Sequence, residues 1–100
     1  MAITPGGVET TVSTADGTIK SSAGNVWWIT IGNSHATASA AIELNDSTDD
    51  GGTDRWGVLL EAVDLSGQPS HFVFNPPIHF NTGIRIDITG GTVKATVGFS

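Results

Sequence analysis

The chain predicts an all-β fold: a single antiparallel β-sandwich of about eight short strands. Three observations carry that expectation. Apolar residues recur at every second position in several stretches, which marks strands with one buried face. Val, Ile and Thr abound while Lys and Arg together number 4, a composition that suits pleated strands and leaves little for amphipathic helices. The 13 glycines break the chain at short intervals, as a fold with many turns requires. At 100 residues the chain makes one domain with one core.

Taken in order, residues 1–7 read as a flexible N-terminal arm, because Pro5, Gly6 and Gly7 resist regular structure. Residues 8–100 read as the single sandwich domain. Residues 8–14 and 18–22 look like strands of a hairpin closed by Ala15, Asp16 and Gly17. Residues 26–32 form a strong strand with Trp27, Ile29 and Ile31 on one face and Val26, Trp28 and Thr30 on the other. One tryptophan therefore points away from the core. Trp28 is then either covered by a loop or available for contact with a partner.

Residues 36–44 alternate, with Ala38, Ala40, Ile42 and Leu44 inward. Residues 45–55 are the most polar segment. A strand over 56–64 puts Trp56, Val58, Leu60 and Ala62 on one face and Leu59 and Val63 on the other. Apolar residues on both faces mean a central strand, or an outer face covered by another chain. Residues 71–75 carry Phe72 and Phe74 on one side and Val73 on the other, and Pro76 and Pro77 end that strand.

Residues 84–99 read as a hairpin turning at Gly90 and Gly91. That register pairs Ile88 with Val93 and Ile86 with Ala95 on an apolar face, and Asp87 with Lys94 outside. A jelly-roll sandwich is favoured over an immunoglobulin-like one, although strand count does not separate the two.

A formal charge of −6 with four scattered basic residues, Lys20, Arg55, Arg85 and Lys94, argues against a nucleic-acid partner, which needs clustered Lys and Arg. No run approaches membrane-spanning length. The N-terminus lacks the basic and apolar regions of a secretory signal, so synthesis in the cytoplasm is expected. With Cys 0, disulfides and thiolate metal sites are out, and oligomerisation is the remaining way to reinforce a small domain.

The polar loop invites a metal test. Asp46, Thr48, Asp50 and Gly51 fit the first part of an EF-hand pattern, but Gly57 stands where its bidentate glutamate belongs. What survives is a weak Ca²⁺ site using Asp46, Asp50 and Asp54, against the plainer reading of a solvated turn. His35, His71 and His79 lack metal-ligand spacing. No serine sits in a nucleophile elbow, and the Gly-Gly pairs are turns and not phosphate cradles. The sequence points away from an enzyme and calls for no cofactor. It points toward surface recognition, with Trp28, Leu59, Val63 and Val73 as the candidate partner interface.

The stretches Val26-Trp27-Trp28-Ile29-Thr30, Ala40-Ala41-Ile42-Glu43-Leu44-Asn45-Asp46, Phe74-Asn75-Pro76-Pro77-Ile78 and Thr82-Gly83-Ile84 together resemble the small all-β accessory virion proteins of tailed bacteriophages. These decorate heads or build small fibres. The resemblance spans residues 18–99. It implies a non-enzymatic virion subunit that binds the major capsid protein or another virion protein, commonly as a trimer, and stabilises the capsid or displays a surface. It carries over no functional residue. The alternative is a receptor- or glycan-binding module of a tail fibre or bacterial surface protein, stacking sugars on Trp27, Trp28 or Trp56. A structural tail or connector component is a third reading.

Overall fold

The computed structural model describes residues 7–49, 51–65 and 67–100. Apart from Gly7, the expected arm lies outside the described residues. Eight strands follow in order: β1 (Glu9–Ser13), β2 (Gly17–Lys20), β3 (Gly24–Asn33), β4 (Ala40–Asp46), β5 (Thr53–Leu60), β6 (Ser70–Phe80), β7 (Ile84–Thr89) and β8 (Val93–Phe99). A single 3₁₀ turn, Val63–Leu65, precedes β6 among the described residues.

The strands form two antiparallel four-stranded sheets, one in the order β1-β8-β3-β6 and the other in the order β2-β7-β4-β5. Their inner faces share one core. Val26, Ile29, Ile31, Ala95 and Val97 come from the first sheet, and Ile42, Leu44, Ile84 and Ile86 from the second. The protein is an all-β sandwich, as its composition and alternation imply.

The two expected hairpins do not form. β7 pairs with β2 and β4, while β8 pairs with β1 and β3. Ile86 and Ala95 therefore belong to opposite sheets, and Asp87 and Lys94 never pair. Period-two alternation states which residues face inward, and two strands on opposite sides of a core satisfy it as well as two neighbours do. Gly90 (φ 76°) and Gly91 (φ 67°) take the left-handed conformation that a tight hairpin also demands. Here that conformation packs the crossing against the β3–β4 connection, where a Cβ on Gly91 would lie 2.6 Å from Asn33 Oδ1. β1 and β2 likewise separate into different sheets.

Other departures have local causes. A bulge between Val26 and Trp28 takes Trp27 out of register on both sides of β3, so Val26, Ile29 and Ile31 face the core. Trp27 instead donates its indole N–H to Ser100 Oγ at 2.9 Å. Pro76 and Pro77 do not end β6, because they lie in an edge strand whose outer side needs no ladder donors. The Asn75-Pro76 bond is cis. β5 stops at Leu60 and is also an edge strand, so Leu59 is not covered from a central position. Across that open side Trp56 meets Phe72 and Phe74 edge-on, with centroids 5.2 and 5.7 Å away. Such contacts add about 0.5–1.5 kcal/mol each beyond burial.

One end of the sandwich is tied by Asn33, which is 7% exposed. Its Nδ2 donates to Ala38 O at 2.8 Å. Its Oδ1 accepts the backbone N–H of His35 (3.1 Å) and of Thr92 (2.9 Å). One carboxamide thus joins the β3–β4 connection to the β7–β8 crossing. Asn33→Ala removes the side-chain partner of two N–H groups and of two carbonyls, Ala38 O and Glu61 O, and we expect a loss of about 2–4 kcal/mol. Urea unfolding monitored by tryptophan emission measures it.

Candidate functional site

The candidate interface residues fall on two opposed surfaces. Trp28 of β3 and Val73 of β6 are direct cross-strand neighbours on the outer face of the first sheet. Leu59 of β5 lies on the outer face of the second, and Val63 sits in the 3₁₀ turn that follows. That turn docks on the β3–β4 connection through Val63 N–H to His35 O and Asp64 N–H to Ala36 O, both 3.0 Å. Leu59 is 71% exposed, Val73 67% and Val63 49%. Two further residues belong with them: Val12 on the first face, 55% exposed, and Leu65 beside Val63, 60% exposed. Their signal is present as alternation in residues 8–14 and as Val63 and Leu65 flanking Asp64, but neither shows its side without the topology.

The first outer face is built in rows. Thr10, Gly98, Trp28 and Val73 lie across the strands, and Val12, Thr96, Thr30 and His71 form the next row. The half-buried Trp28 lies over Gly98, where any Cβ would run into its indole. The ring therefore lies along the sheet and does not stand off it. His71 lies beside Trp28 at 5.8 Å between centroids with the rings tilted by 42°, and its Nδ1 shares a hydrogen bond with Thr30 Oγ1. The result is a level surface of valine, threonine, tryptophan and imidazole.

The second outer face is charged. Glu43 on β4 stands between Gly57 of β5 and Asp87 of β7. Arg85 Nε pairs with Asp87 Oδ1 at 3.0 Å, and buried Asn45 donates to the other oxygen of Asp87. A hydrogen bond with Asp54, then the charges of Asp54 and Asp87, push Glu43 above the usual glutamate range.

The candidate Ca²⁺ ligands are not brought together. Asp46 turns toward the β6–β7 connection and accepts the backbone N–H groups of Thr82 (2.8 Å) and Asn81 (3.0 Å). It also pairs with Arg55 Nη2 at 3.0 Å, with its side chain 6% exposed. Those N–H groups, Thr82 first, with the Arg55 guanidinium, hold its carboxyl well below the usual range. Asp54 engages Glu43 on the other side of the sheet. Asp50 lies outside the described residues.

Each histidine has a local partner. His35 Nδ1 accepts the N–H groups of Thr37 and Ala38, and His79 bonds Asn25. Among the described residues no group of three or more His, Cys, Asp and Glu is placed to hold a metal ion.

A cleft of about 790 Å³ opens at the Asn33 end, between Val63, Pro69, Ile88 and Val93, with Lys94 at its edge. Its described lining includes no carboxylate or imidazole. It can shelter apolar groups but lacks an acid–base pair.

The class these features define is a β-sandwich with apolar outer patches. No family model matches the chain, and no curated protein is significantly similar to it.

The two perturbed carboxyls act on stability with opposite signs. Asp46 has a folded pKa below its unfolded value, so its contribution is complete above about pH 4 and is lost as pH falls toward the folded value. We expect Asp46→Asn to destabilise the protein at pH 7, with the gap to wild type narrowing below about pH 4. Glu43 has a raised folded pKa, so its contribution is present below about pH 4 and is lost as pH rises through the folded value. Glu43→Gln should therefore be the more stable protein at pH 7 and lose that advantage in acid. Chemical unfolding of the three proteins at a series of pH values checks both signs.

Proposed function

We propose that this protein is a non-enzymatic structural subunit of a phage virion, a head-decoration or cement protein folded as a jelly roll. The observation that carries the reading is the pair of apolar patches facing opposite ways: Trp28, Val73 and Val12 on one outer face, and Leu59 with Val63 and Leu65 on the other side. A subunit that only caps a surface needs one such patch. One that bridges neighbours needs two. Patches of this kind mark contact sites in a chain of this size.

Support for the jelly-roll topology comes from the strand order. An order of β1-β8-β3-β6 over β2-β7-β4-β5 is what two interleaved Greek keys would produce, and it favours that reading. An immunoglobulin-like sandwich keeps A beside B and F beside G. Here, among the described residues, β4 and β5 are the only consecutive strands that pair.

The partner is the major capsid protein or another virion protein, met in the host cytoplasm where the chain is made. The patch around Leu59 binds it. Repetition over a symmetric shell turns modest single contacts into strong retention.

The glycan-binding reading is weaker. Trp27 is tied to Ser100 and Trp56 is packed against Phe72 and Phe74, so two of the three indoles are already engaged within the fold. Asp46, a carboxylate of the polar segment over residues 45–55, is already bonded within the fold.

Co-sedimentation with heads of the phage that encodes the chain tests the proposal. Wild type should pellet with the heads, and Leu59→Asp should lower occupancy by about tenfold or more with unchanged circular dichroism. A folded wild type that stays in the supernatant rejects the virion role.

A further inference from the structure

We propose that the outer face of the first sheet is a two-fold interface between two copies of this chain. This goes beyond the virion role and stands or falls without it. The protein carries a formal net charge of −6, so two copies repel unless they meet through a surface free of carboxylates. β1, β8, β3 and β6 contain one carboxylate residue among the described residues, Glu9. Glu9 pairs with Phe99, a core residue, and so lies on the inner side of the strand and not on the outer rows. The second sheet carries Glu43, Asp46, Asp54 and Asp87. Face-to-face pairing of second sheets would bring the carboxylates of Glu43, Asp54 and Asp87 toward their copies, with Arg85, already paired to Asp87, as the counter-charge between them. Pairing of first sheets meets no such cost.

Shape points the same way. Because Trp28 lies along the sheet over Gly98, the face is level, and level sheets stack about 10 Å apart with interleaved side chains. Lys94 is the one Lys or Arg on this face among the described residues, and it sits toward the Asn33 end of β8, opposite Gly32. A two-fold axis near Thr30 and Thr96 sends the two copies of Lys94 to opposite corners. Val12 and Val73 stand on the two edge strands, so the same axis surrounds the centre of the contact with apolar residues from both copies.

Four strands and the 10 residues of β3 give a face of roughly 19 by 33 Å, hence about 1,200 Å² for a pair of faces. That is the lower end of stable interfaces and fits a dimer that dissociates on dilution. An isologous contact of this kind closes as a pair, whereas the resemblance to accessory virion proteins implies a trimer.

Sedimentation equilibrium on the intact chain, from about 1 µM to 1 mM, tests this. The mass should rise from 10.3 kDa toward twice that value, with tryptophan emission shifting as Trp28 is covered. Val73→Asp and Val12→Asp, at opposite edges of the face, should each weaken the dimer by at least about tenfold, while Leu59→Asp leaves it unchanged. Circular dichroism confirms folding, and Val12→Asp decides the matter if Val73→Asp fails to fold. A monomer throughout the range, a trimer mass, or a dimer broken by Leu59→Asp and indifferent to Val12→Asp overturns the proposal.

Discussion

The chain changes sheets at every connection except β4–β5, and that constraint shapes the rest of the molecule. A hairpin is secured by its own ladder, but a crossing has no ladder of its own and must be tied from outside. At one end the tie is Asn33, whose carboxamide reaches the backbone of two connections. At the other it is Asp46, whose carboxylate collects the N–H groups of the β6–β7 turn. Both side chains are almost fully withdrawn from water, where a polar group is tolerated only with its partners in place. Between these ties the two inner faces need only alternate.

That division explains what could be read from the residues. Ile42, Leu44, Ile84, Ile86, Val93, Ala95 and Val97 were visible as inward because alternation reports facing. Pairing was not visible. Ile86 and Ala95 look like cross-strand partners and prove to lie in opposite sheets of one core, and Gly90 with Gly91 serves either geometry. Trp27 was misplaced because a bulge is one extra residue that no period reveals. Asp46 looked like a cation ligand for a sound reason, since a carboxylate among turn residues seeks positive partners. It finds backbone N–H groups and Arg55 instead. Nothing in the residues around Asn33 marks it out, because its role depends on Thr92, 59 residues away in sequence.

The candidate surface was half legible. Trp28, Leu59, Val63 and Val73 were each assigned to a face opposite the core, and Leu59, Val63 and Val73 are conspicuously exposed. Their distribution over two opposed surfaces needed the strand order. So did the partition of charge, because the near absence of carboxylates from β1, β3, β6 and β8 becomes a property of one face only once those strands are known to share a sheet. An acidic face backed by a neutral one gives the subunit a direction. In the assembly proposed above, the neutral side would meet a second copy, the charged side would keep copies apart, and the patch around Leu59 would be left for a larger partner.

The most direct test of this architecture is an NMR measurement of backbone contacts across β8. The crossing topology predicts cross-strand contacts between Thr30 and Thr96 and between Glu43 and Asp87, with none between Asp87 and Lys94. A strong Asp87–Lys94 contact, accompanied by loss of the Thr30–Thr96 one, would restore the simple hairpin and contradict the two-sheet arrangement on which the outer faces depend.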